Sequence, residues 1–247
     1  MKIVILTALL VGGATVFGAA LGLIFRRTSE RFNDAALSVA AGVMLAAAMI
    51  GLILPSIEYG GRFGVFVTVF GIFVGALCVN LFDLLLRRAY KPQSLGGADG
   101  ERVHGVFLFV AAIAMHNLPE GIASGVGFGT DDVGAGILIA TAIALQNIPE
   151  GMIVLLAMLG INMRPERAFL VAALTGVVEV IGTFLGYFAV SISTAVLPFV
   201  LAFAGGNMLY VIADEMIPEV HSDENGHSAA YFILAGFCLM LLINQFL

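Results

Sequence analysis

Charge is what this chain lacks most. Asp, Glu, Lys and Arg make up 11% of its 247 residues, against about 25% in soluble domains. With 60% hydrophobic residues and a mean hydropathy of +1.06, a soluble domain is excluded and a polytopic membrane protein is expected. The few basic residues form no patch, so nucleic acid is not a partner. Cysteine is nearly absent. Cys78 and Cys238 lie in apolar sequence, imply no disulfide framework and read as small buried hydrophobes. Histidine is scarce too: four residues are too few for a membrane di-iron oxidase, and no His-Glu-x-x-His marks a zinc protease. A cleavable signal is not expected. The first apolar run, 3–25, exceeds the ~7–15 residue core of a signal peptide, and its stronger basic flank, Arg26-Arg27, follows it.

What is present is apolar sequence in lengths that cross a bilayer, about 20 residues each. Eight helices are expected, at 3–25, 33–58, 63–86, 103–129, 133–160, 165–190, 195–219 and 227–247, making 1–247 a single polytopic domain. Lys91-Pro92 and Gly96-Gly97 punctuate a loop over 87–102. Thr130-Asp131-Asp132 marks a tight turn, and an acidic loop with His221 spans 220–226. Nine of the eleven Lys and Arg residues fall after helices 1, 3 and 5: Arg26, Arg27, Arg31, Arg87, Arg88, Lys91, Arg102, Arg164 and Arg167. Only Lys2 and Arg62 lie on the other side. Basic loops stay in the cytoplasm, so both termini are expected outside.

Within this apolar sequence one hexamer occurs twice, thirty residues apart: His116-Asn117-Leu118-Pro119-Glu120-Gly121 and Gln146-Asn147-Ile148-Pro149-Glu150-Gly151. On a helix, positions i, i+3 and i+4 share a face. His116, Asn117 and Glu120 therefore look one way, as do Gln146, Asn147 and Glu150. A carboxylate at membrane depth faces the bundle interior and serves an ion, a proton or a partner group. Two such faces together would form a cage of nitrogen and oxygen ligands suited to a divalent metal. Their helices run antiparallel, which suggests a pseudo-twofold axis in the membrane plane, as in many secondary transporters. Each proline frees a carbonyl four residues back, those of Met115 and Leu145. Glu179 lies mid-segment in the sixth helix with no Lys or Arg at its depth, so a ligand role is expected for it too. Asp214, Glu215, Glu219 and His221 read either as a cytoplasmic metal exit or as solvated interfacial charges. Asn80 and Asp83 read as packing or interface, His104 and His227 as solvated, and Met44 and Met49 as packing. Gly18/Gly22, Gly71/Gly75, Gly121/Gly125 and Gly182/Gly186 are Gly-x-x-x-Gly pairs, expected at close helix crossings.

With the paired hexamers, Glu179 and the Glu-Met-Ile-Pro-Glu segment near the end of the seventh helix, the chain resembles the ZIP (Zrt/Irt-like) divalent-metal transporters over nearly its whole length. It looks closest to the bacterial branch with Gln-Asn in the second hexamer. The resemblance implies an all-α membrane protein of eight transmembrane helices in an inverted-repeat 3+2+3 bundle, with a metal site between helices 4, 5 and 6. It implies that helices 1, 4, 5 and 6 slide against helices 2, 3, 7 and 8, which also form a homodimer. Carried over residue by residue, His116, Glu120, Gln146 and Glu150 match the family's first metal site. Asn117, Asn147 and Glu179, with Glu120 and Glu150 bridging, match its second. Some relatives have Asp at the position of Asn147, so the second site carries less charge here. The loop between helices 3 and 4 also lacks the histidine cluster of many relatives.

The expected function is movement of divalent transition-metal ions into the cytoplasm by an alternating-access, elevator-type motion. Zinc is the first candidate, and cadmium, iron and manganese suit the same donors. The metal is cargo, no cofactor is expected, and the expected surroundings are the lipid bilayer of a bacterial inner membrane. A metal-selective channel and an intramembrane metalloenzyme are the alternative readings.

Overall fold

The computed structural model describes residues 1–25, 29–89, 98–128, 133–220 and 226–246, without the side chains of 30, 87, 89, 98–102, 219 and 226. Arg26 and Arg27, the Lys91-Pro92 and Gly96-Gly97 signals, the turn at Thr130-Asp131-Asp132 and His221 lie outside the described residues. Every regular element among the described residues is helical.

Among the described residues eight helices are long and apolar enough to cross a membrane: α1 (Lys2–Ile24), α2 (Arg31–Tyr59), α3 (Gly61–Leu86), α4 (Val103–Val126), α5 (Val133–Gly160), α6 (Pro165–Ile192), α7 (Thr194–Met216) and α8 (His227–Phe246). The helix carrying α4 already begins at Ala98, inside the stretch expected to be loop. Lys91-Pro92 and Gly96-Gly97 all precede it in the sequence.

The helices fall into two groups. In one, α1 packs on α5 and α6, and α4 packs on α6. In the other, α3 packs on α7, and α2 packs on α8. The groups meet where α2 crosses α5 and α4 crosses α7. Glycines set the closest crossings, because a helix face without Cβ atoms lets two backbones touch. A Cβ on Gly18 of α1 would strike the Ile148 carbonyl of α5, and one on Gly182 of α6 would strike the Leu118 carbonyl of α4. Likewise Gly151 lies against the Thr15 carbonyl, and Gly121 against that of Glu179.

These paired contacts are one contact made twice. The α1 and α6 members differ by 164 in number, and the α4 and α5 members by 30. The second group obeys the same rule. Gly42 of α2 abuts the Ile233 carbonyl of α8 as Gly206 of α7 abuts that of Ile72 in α3. Gly236 abuts Val39 as Gly75 abuts Phe203. Helices α1–α3 therefore correspond to α6–α8, and α4 to α5. The axis relating them passes where Gly12 and Gly176 touch each other. All four expected Gly-x-x-x-Gly pairs sit at such crossings.

Two features depart from the expected plain helices. A π-helical segment, Ala47–Ile53, interrupts α2, and another, Ile212–Met216, closes α7. Each ends two residues before a proline, Pro55 or Pro218. Proline donates no N–H to the residue four back, and the wider π turn takes up the resulting slack. Cys78 and Cys238, read as buried, are exposed. They share the outer surface with large side chains such as Phe66, Phe73 and Leu234. Against lipid an apolar side chain gains nothing by turning inward, so apolar character does not mark the interior here.

Candidate metal centre

The hexamers fold as their spacing dictates. His116, Asn117 and Glu120 on α4, Gln146 and Asn147 on α5 and Glu179 on α6 are all buried, while Glu150 on α5 is partly exposed. Both helices run unbroken through Pro119 and Pro149.

The polar side chains form two adjoining nodes. At the first, on the pseudo-twofold axis, the Glu179 carboxylate gathers three donors. Thr15 Oγ1 donates to its Oε1 at 2.7 Å, and Asn117 Nδ2 to the same oxygen at 2.6 Å. Asn147 Nδ2 donates to Oε2 at 2.6 Å. The two asparagines are held alike from the other side. Asn117 Nδ2 reaches the Thr175 carbonyl at 3.3 Å, and Asn147 Nδ2 reaches that of Val11 at 3.2 Å. Thr175 and Val11 are again 164 apart. Glu179 thus ties α1, α4, α5 and α6 at one point, fully buried.

At the second node Gln146 Nε2 donates to Glu120 Oε1 at 2.6 Å. His116 Nε2 lies 3.3 Å from Oε1 of Glu215, on α7. Glu150 is within electrostatic reach of His116, Glu215 and Glu120. His116 and Glu215 therefore link one helix group to the other.

Among the described residues no three His, Cys, Asp or Glu side chains converge closely enough to hold an ion between them. The expected set contains three amides, and three of its other members already have partners: Glu179 with Thr15, Asn117 and Asn147, Glu120 with Gln146, and His116 with Glu215. The orphaned atoms are informative. Buried polar atoms are nearly always hydrogen-bonded. Among the described residues six buried side-chain oxygens have no donor, and four of them are Asn117 Oδ1, Glu120 Oε2, Gln146 Oε1 and Asn147 Oδ1. The other two belong to Asn33 and Asn207.

Thr15 is the residue that sequence reasoning missed. The sequence leaves Glu215 open between a cytoplasmic metal exit and a solvated interfacial charge; it lies in the π segment of α7, where an added residue per turn re-aims side chains. Asp214 is exposed, and the side chain of Glu219 is outside the described set. Asn80 donates to the Tyr210 hydroxyl at 2.7 Å. His227 is exposed and His104 partly buried; Met44 is buried and Met49 exposed.

An eight-helix membrane bundle with an internal inverted repeat, carrying buried amides and carboxylates on its axis, defines an all-α integral membrane protein of transporter architecture. Comparison with known proteins gives the family. The profile described as ZIP zinc transporter matches residues 97–244. Zinc transporter GufA of Myxococcus xanthus is 34% identical over 98% of this chain and 97% of its own length. Zinc transporter ZIPB of Bordetella bronchiseptica is 36% identical, covering 94% of this chain and 77% of its own. Human zinc transporter ZIP11 is 30% identical over 94% and 93%. The chain belongs to the ZIP family of metal transporters, a family of transporters and not of enzymes.

Proposed function

We propose that this protein carries zinc into the cytoplasm, with cadmium, iron and manganese as further cargo, and that the cargo passes through the two polar nodes. The supporting observation is the set of four orphaned oxygens. A buried acceptor without a donor costs roughly 1–3 kcal/mol, and four gathered among seven residues of one cluster suit a cation that supplies the missing positive charge. In this reading His116, Glu120, Gln146 and Glu150 hold one ion. Asn117, Asn147 and Glu179, with Glu120 and Glu150 shared, form a second and weaker station, because two dications close together repel strongly in a low dielectric.

The basic residues orient the chain with both termini outside, in a bacterial inner membrane. The partly exposed Glu150 and Glu215 then lie toward the cytoplasmic ends of α5 and α7, so this conformation faces inward. Glu215 serves as the next carboxylate on the way out. Helices α1, α4, α5 and α6 move as one body because Glu179 fastens them. They slide against α2, α3, α7 and α8, which also hold two copies together as a homodimer.

The test is zinc flux into proteoliposomes. Losing even an outer partner of a metal costs about 10–100-fold, so Glu120→Ala and Glu150→Ala are expected to lose more than that in transport while still inserting. Uptake at the parental rate in either variant removes that residue from the path. Flux that never saturates with zinc concentration would make the protein a channel.

A further inference from the structure

The repeat that relates α1 to α6 places Thr15 at the position equivalent to Glu179. Gly151 lies against the Thr15 carbonyl as Gly121 lies against that of Glu179, and Val11 holds Asn147 as Thr175 holds Asn117. The helix crossings and the two asparagines beside the axis are duplicated, whereas this pair differs, as His116 and Gln146 do one turn away. One repeat brings a carboxylate and the other a hydroxyl, and the two meet at 2.7 Å.

The pairing has a chemical consequence. Two glutamates facing each other, fully buried, would repel and could not both be ionised without a bound cation. Two threonines would leave no charge. One of each lets a single carboxylate stay buried between passages of the cargo, because the hydroxyl replaces part of its lost hydration. The hydroxyl also makes the carboxylate's two oxygens unequal. Oε1 accepts from Thr15 and Asn117, which fills it, whereas Oε2 accepts from Asn147 alone. A carboxylate has about four acceptor positions, so the vacant one is on Oε2.

We propose that Thr15 is a positioning residue for metal transport. It holds Glu179 turned toward α1, leaves one lone pair on Oε2 for the cation, and thereby keeps the deep station weak enough to release its cargo. The inference rests on the reading of the polar nodes as the metal path.

The experiment compares Thr15→Val, which keeps shape and removes the donor, with Thr15→Ser, which keeps the donor. Zinc uptake is measured per folded transporter in proteoliposomes, and melting of the purified protein is followed with and without zinc. Without its hydroxyl partner the carboxylate is freer for the ion. Thr15→Val is expected to lower KM and maximal rate together, each roughly tenfold, the scale of one hydrogen bond to a charged group. It should melt lower than the parent when metal-free and gain more from zinc, since a ligand stabilises by its affinity. Thr15→Ser should restore the parental values.

A purely structural Thr15 would lower melting alone, with KM, maximal rate and the zinc-induced rise unchanged; that result overturns the proposal. So does a KM that rises, or a Thr15→Ser that behaves as Thr15→Val. Should Thr15→Val yield no folded protein, Thr15→Ala, which also removes the donor, replaces it under the same criteria. Glu120→Ala run alongside separates the two levels. If it transports normally, the metal path itself is misplaced; if it is inactive while Thr15→Val keeps parental kinetics, only the role of Thr15 fails.

Discussion

His116 faces a choice of partner: Glu215 at 3.3 Å in this conformation, or an ion. Its imidazole is the only nitrogen ligand type in the proposed set, so His116→Ala should raise KM for zinc by more than the roughly 10–100-fold that loss of an outer partner costs and cost manganese less, since manganese is better suited to oxygen donors. Competition assays with both ions check this. Protons compete for the same lone pairs, because imidazole and carboxylate must be deprotonated to bind metal. Lowering external pH from about 7 to about 5 raises the concentration of the competing proton about a hundredfold, so apparent zinc affinity should fall. A flat KM across that interval would mean that these residues do not limit loading. At this scale legibility was uneven for a plain reason. His116 and Glu120, or Gln146 and Glu150, are i and i+4 on one helix, and local spacing betrays them. Glu215 and Thr15 acquire their roles from residues about a hundred or more positions away, which no local pattern encodes.

Among the elements, the glycine contacts separate two kinds of glycine that look alike in sequence. A Cβ on Gly18 or Gly182 would collide with a carbonyl of the neighbouring helix, whereas one on Gly13 meets nothing within 4 Å. Gly13→Ala should therefore be neutral or add up to about 1 kcal/mol through helix propensity. Gly18→Ala and Gly182→Ala should lose about 1–3 kcal/mol to overpacking and impair transport. Thermal melting in detergent beside zinc uptake distinguishes them, and equal behaviour at Gly13 and Gly18 would refute the close crossing. The eight spans were legible because apolar length alone marks them. The π segments were not: Pro55 and Pro218 announce a disturbed turn, but only the packing of α2 and α7 decides whether a kink or a wider turn absorbs it.

For the whole molecule, sidedness follows from the distribution of Lys and Arg. Arg164, exposed between α5 and α6, belongs to the basic side, and Arg62, exposed at the start of α3, to the other. In a Cys78→Ser, Cys238→Ser background, an impermeant thiol reagent should label Arg62→Cys in intact cells and Arg164→Cys only after the membrane is opened. The reverse pattern would invert the orientation, and with it the direction assigned to the path. The crossings also bear on how the chain is made. Gly18 waits for Ile148, and Gly42 waits for Ile233, so α1 reaches its closest crossing only once α5 has been synthesised, and α2 only with α8. They must be threaded into the bilayer and remain there unassembled, their glycine faces open to lipid. A polypeptide cut short after α3 would then be a natural target for membrane quality control, and the protein's biogenesis would depend on its final helix as much as its transport does on its central ones.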